Sequence, residues 1–458
     1  MSGLTRREAI ASMAAGLAVA GCATKGAAQD EKRPNLLFIL SDDHRYDALG
    51  CMGNSVIQTP VLDGIAGEGT VFTHCFVTNP ICTPSRACLM TGQYGFTNDV
   101  TFFGIPMNPA SPQIGRVLAE AGYAVGFTGK WHNDQRPVHH GFTHMKDVFL
   151  GGMSNHDAIK VVQGAEDERV VKEVNDTVLF TDAALALISE MPQPWCLFVC
   201  YTVPHDPRMP EPAYEAMYPP EKITLPKNFM QQPKFDPGTL EIRDEKLHPR
   251  PFDLDLLKRE TGKYYGHITQ MDEQVGRLRT QLEGAGQWDN TVTVFSGDNG
   301  LTLGSHGLLG KQTLYEEGVR VPLIVRGPGV AVQRNDALVG LMDMMPTLCE
   351  YAGAPVPAAV EGKSLRSLAS GDSKAVHEDI YCHYDDLLRS VRTGQYKLVL
   401  HLKSTREGQY GQEIAGKEEL FDLKADPIEL EDRIEDPALA AVKADLQARL
   451  AAWMGRWG

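Results

Sequence analysis

Between Pro80 and Gly92 the chain reads Pro-Ile-Cys-Thr-Pro-Ser-Arg-Ala-Cys-Leu-Met-Thr-Gly, which sets a nucleophile, Cys82, just ahead of an apolar stretch. Pro84 and Ser85 suit the first positions of a helix, whose free amide groups favour negative charge beside Cys82. Arg86, one turn further on, is a fixed cation able to fork onto a tetrahedral oxyanion. Far away in the chain stand Asp42-Asp43 and Asp298-Asn299. They offer only oxygen donors, a set that suits Ca²⁺ or Mg²⁺ and not zinc. The same residue types also cap helices or build Asp-Asn-Gly turns where no metal is bound. Lys130, His132, His205 and Lys311 add cations and imidazoles in short polar clusters.

Four apolar runs fit strands buried on both faces: Asn35 to Leu40, Tyr123 to Phe127, Trp195 to Cys200 and Thr291 to Phe295. Each hands over to polar residues at its carboxyl end, namely Ser41 to His44, Thr128 to His132, Tyr201 to Pro207 and Ser296 to Gly300. Helical stretches lie between them, at Ile114 to Ala121, Asp182 to Met191 and a glycine-interrupted Asp253 to Glu283. This alternation predicts an α/β domain with a large, mostly parallel sheet flanked by helices. In open α/β sheets the carboxyl ends of the strands face the ligand crevice, so the four polar clusters converge on one rim. Residues 133–175 and 201–255 lack periodicity and read as long loops decorating that rim.

Beyond residue 378 the pattern changes. Ile380 to Tyr384, Arg389 to Arg392, Tyr396 to Leu400 and Glu419 to Leu423 read as short strands, and Pro437 to Trp453 as a terminal helix. They predict a smaller C-terminal α+β subdomain on an antiparallel sheet. The resulting division is an export signal and linker (1–33), a catalytic domain (34–377) and the C-terminal subdomain (378–458).

The Cys82 segment resembles the signature of the type I sulfatases, in the alkaline-phosphatase-like superfamily, where this cysteine is oxidised to formylglycine after translation. Gly129-Lys130-Trp131-His132 is similar to the second signature, with Gly122-Tyr123 in place upstream; Val125, Thr128 and Asn133-Asp134 depart from it. Gly304 to Pro322 resembles the pattern downstream of the family's Asp-Asn pair, and Glu419 to Pro427 a recurrent C-terminal stretch. The resemblance implies that Asp42, Asp43, Asp298 and Asn299, with an oxygen of the modified Cys82, hold one divalent cation, most often Ca²⁺, with Mg²⁺ the other option. It implies a catalytic set of Cys82, Arg86, Lys130, His132, His205 and Lys311. A hydrated aldehyde at position 82 attacks sulfur, His205 with Lys311 serves the leaving oxygen, and His132 helps to expel sulfate. Lys311 binds sulfate, and His306 either lines the site or stabilises a turn. The implied partners are a sulfated carbohydrate and a formylglycine-generating maturation enzyme. In the loops, His139, His140, His156 and Arg208 are candidates for substrate contacts or ordinary loop residues.

Two other readings stand beside this one. A phosphonate or phosphodiester hydrolase of the same superfamily shares the Cys-x-Pro-Ser-Arg core, but such relatives tend to carry Asp-His where Asp298-Asn299 stands. A non-catalytic lipoprotein that binds sulfated glycans would not need every acid and base.

The 458 residues carry a formal net charge of −15, which argues against nucleic acid as a partner. Binding an anionic ester then requires a local cationic cluster. Thr5-Arg6-Arg7 and the apolar run from Ala9 to Gly21 resemble a twin-arginine export signal, and Val19 to Cys22 a lipoprotein box. The expected location is periplasmic or outer-membrane-anchored, with Cys22 the candidate lipid anchor. Nine cysteines without a CxxC pair exclude zinc-ribbon and thioredoxin-like sites and leave disulfide pairing open.

Overall fold

Eleven strands form one large sheet in the order β10-β2-β9-β8-β1-β7-β3-β4-β5-β6, with β11 beside β2. They are β1 Asn35–Ser41, β2 Thr70–Phe76, β3 Ala124–Lys130, β4 His144–Phe149, β5 Ile159–Val162, β6 Arg169–Lys172, β7 Trp195–Cys200, β8 Thr291–Gly297, β9 Arg320–Arg326, β10 Gln333–Asn335 and β11 Val339–Gly340. The coordinates are a computed structural model that describes residues 33–164, 168–404 and 414–457. The export signal and Cys22 lie outside the described residues.

The five central strands, β8, β1, β7, β3 and β4, run parallel. Antiparallel strands finish both sides: β9 between β8 and β2, and β5 and β6 beyond β4. A strand buried on both faces sends alternate side chains into two cores. Leu36, Phe38 and Leu40 of β1 pack with Leu89, Leu118 and Leu348 from helices α2 (Cys82–Thr91), α3 (Ile114–Glu120) and α6 (Met344–Ala352). Leu37 and Ile39 pack on the other face with Leu62, Phe180 and Ile268 of α1 (Pro60–Ala66), α4 (Asp176–Glu190) and α5 (Leu254–Gly284). The four parallel strands that carry candidate residues therefore cannot slide without turning apolar side chains out of a core.

A second sheet is an antiparallel meander of β12 Asp379–Tyr384, β13 Leu388–Thr393, β14 Tyr396–His401 and β15 Glu418–Asp422. On one face Val391, Leu398 and Leu420 pack against Leu446, Leu450 and Trp453 of α7 (Ala440–Met454). On the other, Tyr384, Leu388 and Phe421 join the core that holds Phe76 and Val77. The described residues from Pro34 onward form one compact unit.

Several local expectations need correction. The signature helix begins at Cys82, with Ile81 as its cap, not at Pro84 and Ser85. Strand β3 runs on through Lys130, three residues past Phe127. Residues 133–175 contain β4, β5 and β6, and α4 starts at Asp176, where Asn175 accepts a hydrogen bond from the Thr177 amide. All eight described cysteines, Cys22 excluded, are free thiols. Among the described residues no helix is long and apolar enough to cross a membrane.

Helix α5 runs unbroken through its glycines, and Gly262, Gly266 and Gly276 are points of close contact. A Cβ on Gly262 would lie 2.3 Å from the Tyr218 carbonyl oxygen, so the 201–255 segment packs directly on the helix backbone. In an exposed helix Gly→Ala gains about 1 kcal/mol. Here Gly262→Ala should instead destabilise by ~1–3 kcal/mol, as overpacking does, read as a lowered urea midpoint.

Candidate active site

Cys82, Arg86, Asp42, Asp43, Lys130, Asp298, Asn299 and Lys311 come together at the carboxyl ends of β1, β3 and β8, each at most 3% exposed. Their geometry follows from the strands. Ser41 ends β1, so Asp42 and Asp43 turn over the sheet edge; the Asp42 amide donates to Val203 O at 3.0 Å and the Asp43 amide to Asp298 Oδ1 at 3.1 Å. Asp43 sits at φ 58° and His132 at φ 47°, a left-handed region sparsely used by residues with a side chain. The surroundings hold Asp43 there: its carbonyl accepts from the Tyr264 hydroxyl at 2.7 Å.

The charges alternate. Arg86 Nε donates to Asp298 Oδ2 at 2.8 Å and Nη1 to the Lys130 carbonyl at 2.6 Å. Lys130 Nζ donates to Asp42 Oδ2, and Lys311 Nζ to Asp43 Oδ1 at 2.5 Å. Cys82 Sγ lies 3.3 Å from Asp42 Oδ1, 3.9 Å from Asp43 Oδ1 and 3.1 Å from Lys311 Nζ. Burial alone would raise the Asp43 carboxyl, but Lys311, His205 and Lys130 hold it far below the usual range. Burial, then the Asp42 charge, pushes the Cys82 thiol well above its ordinary value. An unmodified thiolate is therefore disfavoured here.

His205 and His132 complete the ring. His205 Nε2 is 3.7 Å from Asp43 Oδ2, and its Nδ1 donates to the Asp206 carbonyl at 2.7 Å. Burial, only partly offset by Asp43, lowers its pKa to about 4. Burial, followed by Lys130 and Arg86, also keeps His132 well below 6.5. Both shifts favour the neutral imidazole at neutral pH.

A cavity of about 320 Å³ opens over Cys82, lined also by His132, His205 and Lys311. Its outer wall holds Phe103, Met153, Arg243 and Asp244, none of them expected from the sequence. Arg243 binds both carboxylate oxygens of Asp206 and reaches Asp244 Oδ1 at 2.7 Å. Irregular loops carry no periodic signal, so only contact reveals these four. The four loop candidates do not line this cavity. His140 packs on Trp131 and Arg208 lies over the Tyr264 ring, His156 is buried behind His205, and His139 stands on a short helical turn. His306 lines a separate cavity of about 190 Å³ beneath the second sheet, stacked on Tyr315 at 3.9 Å.

The donor set fits a hard divalent cation. Ligand atoms of Asp42, Asp43, Cys82 and His205 lie within 4.8 Å of one another. Asp298 and Asn299 join through Asp43: Asn299 Nδ2 donates to Asp43 Oδ1 at 2.7 Å, leaving Asn299 Oδ1 buried without a hydrogen-bond donor. A buried amide oxygen beside three carboxylates is an oxygen-rich shell of the kind Ca²⁺ and Mg²⁺ use.

The large mixed sheet with its antiparallel C-terminal sheet is the alkaline-phosphatase-like fold, and relatives give the activity. A profile described as "Sulfatase" matches residues 34–354, and one described as "N-sulphoglucosamine sulphohydrolase, C-terminal" matches 304–455. The chain belongs to the sulfatase family and is a sulfuric ester hydrolase. It is 27% identical to an N-acetylglucosamine-6-O-sulfatase of Bacteroides thetaiotaomicron, over 91% of this chain and 85% of that one. It is 30% identical to human arylsulfatase A, over 85% and 77% of the two chains. Among solved structures, one in complex with its substrate D-glucosamine-2-N,6-O-disulfate superimposes with a TM-score of 0.81 at 25% identity, covering 93% of this chain and 98% of that one.

The loop from Thr202 to Met209 is also fastened to α5. The Met209 amide donates to His267 Nε2 at 2.7 Å, so that nitrogen carries no proton. Burial, then the neighbouring His156 and Arg208, holds His267 well below 6.5. A histidine kept neutral only in the folded state contributes stability above pH 6.5 that is lost as pH falls towards its folded pKa. The urea midpoint should therefore drop between pH 6.5 and 5, and His267→Gln should flatten that dependence by up to about one proton.

Proposed function

We propose that the protein removes sulfate from a carbohydrate sulfate ester, with Cys82 converted to formylglycine as the nucleophile. The observation that carries this reading is the closed ring of Asp42, Asp43, Asp298, Arg86, Lys130 and Lys311 around position 82 at the floor of a cavity. Its three carboxylates and three fixed cations balance, so one divalent cation would leave the floor positive for a sulfate monoester.

Asp42, Asp43, Asp298 and Asn299 would hold that cation, Ca²⁺ in preference to Mg²⁺ by resemblance; when bound, it supplies charge that polarises oxygen. An aldehyde at 82, once hydrated, supplies a hydroxyl nucleophile and can release sulfate by re-forming its carbonyl, which a thiol cannot do. Lys311, which lines the cavity 3.1 Å from the Cys82 sulfur, is placed to hold an ester oxygen, and the fully buried Lys130, paired with Asp42, adds positive charge near position 82. Arg86, whose buried Nη2 makes no hydrogen bond but lies 3.8 Å from Asp42 Oδ2, orients Asp298. Neutral His132 is suited to accept a proton. His205 faces the leaving oxygen, and an anionic ester favours its protonation by opposing the effect of the lysines. General acid help of this kind contributes about 10²–10⁴-fold.

Support for a sugar substrate comes from relatives named for N-acetylglucosamine-6-sulfate, ulvan and N-acetylgalactosamine-6-sulfate. The export signal reading adds a periplasmic or outer-membrane setting, with Cys22 as lipid anchor, suited to extracellular polysaccharide. A phosphonate or phosphodiester activity is the competing outcome, since a phosphonate monoester hydrolase of Agrobacterium radiobacter shares the fold at a TM-score of 0.75 and 20% identity.

Protein co-expressed with a formylglycine-generating enzyme should show an aldehyde at residue 82 by mass spectrometry and hydrolyse 4-nitrophenyl sulfate and members of a sulfated-saccharide panel. Cys82→Ala should abolish turnover while leaving the unfolding midpoint within about 1 kcal/mol. Chelation by EDTA should suppress activity, and added Ca²⁺ restore it. Faster turnover of phenyl phosphonates than of every sulfate ester would sink the proposal.

A further inference from the structure

Behind the His205 loop lies a buried pair that the catalytic set does not use. His156 is 1% exposed and Asp176 is 0% exposed. His156 Nδ1 lies 2.9 Å from Asp176 Oδ2, and its Nε2 lies 3.1 Å from the His205 carbonyl oxygen. Both partners are acceptors, so the ring donates from both nitrogens and holds two protons. Burial opposes that charge, but the Asp176 carboxylate outweighs it and raises His156 above 6.5.

The anchor is rigid. Asp176 is the first residue of α4, where helix amides favour a carboxylate, and its own amide donates to the His156 carbonyl at 2.7 Å. Thr202 Oγ1 donates to the same Asp176 oxygen at 2.5 Å, and the His205 amide donates to Thr202 O at 3.2 Å. The turn bearing His205 is thus held at both ends by one carboxylate and the imidazolium it pairs with. Since His205 Nδ1 donates to Asp206 O, Nε2 is the nitrogen left for the cavity.

We propose that His156, charged and oriented by Asp176, is a positioning residue for His205. Its hydrogen bond to the His205 carbonyl fixes the main chain from which that ring projects, and so the direction in which Nε2 meets the leaving oxygen. The inference rests on the sulfate-ester reading. As the S–O bond to the leaving group breaks, its electron pair stays on the leaving oxygen and takes the Nε2 proton of protonated His205. The products are the free alcohol and a neutral imidazole, while sulfur bonds to the attacking hydroxyl oxygen on residue 82, whose proton passes to the Asp298 carboxylate. A weakly basic phenolate departs almost unaided, whereas a sugar alkoxide needs the proton. Misalignment of His205 therefore has a signature that general loosening of the fold lacks.

The test compares the parent enzyme with His156→Gln and Asp176→Asn, each checked for thermal unfolding and for aldehyde content at residue 82. The substrates are aryl sulfates whose phenols span pKa values of about 7 to 10, and a sugar sulfate that the parent cleaves. Both variants should lose about 10²-fold in kcat/KM on the least acidic phenol and on the sugar, and stay within about threefold on the most acidic phenol. Equal losses across the series, or an unchanged slope against leaving-group pKa, overturn the proposal. Should His156→Gln fail to fold, the slope of Asp176→Asn decides alone. A parent enzyme inactive on every sulfate ester refutes the functional reading itself, a result visible before any variant is compared.

Discussion

Three carboxylates and three cations packed around one sulfur, all essentially out of water, form the constraint on which the rest of the structure depends. Each ion buried alone would cost several kcal/mol, so none of the six is stable there without the others. The alternation of Arg86 with Asp298, Lys130 with Asp42 and Lys311 with Asp43 meets that condition. The pairing must also be rigid, because a carboxylate that swings away leaves a lone buried ammonium. This accounts for the placement of the acids at the ends of fully buried strands. It also accounts for an Asp43 backbone held in a left-handed conformation by Tyr264 and Asp298. Stability and reactivity are thus opposed at the centre. Because the six charges already balance, an oxygen-seeking cation and an anionic ester suit the array jointly, each offsetting the charge that the other brings.

How much of this was legible in the sequence depends on what each residue leans on. Asp42, Lys130, His205 and Asp298 sit at or soon after the ends of largely apolar strands, so their place near the strand ends is readable from hydrophobicity, although the end of β3 lies three residues beyond its apolar run. The convergence on one rim followed from parallel topology, a rule about sheets and not about particular contacts. The helix start was misplaced because Pro84 and Ser85 are good early-helix residues. The cap is instead Ile81, in extended conformation, with tertiary packing burying the whole helix. The strands β4 to β6 were hidden for a related reason: β5 and β6 are four residues each, and β6 is largely exposed, leaving little alternation to read. The cavity wall was illegible. Arg243 and Met153 lie ninety residues apart in aperiodic loops, and nothing in their local sequence records that they meet.

The imidazoles around the His205 turn illustrate how one residue type takes opposite states through its partners. His156 faces two acceptors and is charged; His267, its ring 4.8 Å away, receives a backbone N–H and is neutral. The two states support each other, because a second imidazolium at that distance would repel the first in a poorly screened interior. The turn between them is therefore set from two elements, α4 through Asp176 and α5 through His267. The 201–255 segment is irregular in backbone but not loosely held.

Charge acts on two length scales in this molecule, and they point in opposite directions. The chain as a whole carries −15, so a polyanionic glycan approaching from solution meets repulsion. Beyond roughly 8–10 Å at physiological salt that repulsion is largely screened, whereas the buried ring is not. The outer wall adds a further filter, since Arg243 is already engaged by Asp206 and Asp244 and offers no unbalanced positive charge. Attraction for sulfate is thereby confined to the cavity floor, where Lys311 stands beside Cys82. An anionic group elsewhere on the substrate gains nothing from the rim. Selection then falls on the single ester that reaches position 82. That is a physical reason for an acidic protein to act on a sulfate ester while drawing its charge selectivity from the cavity floor alone.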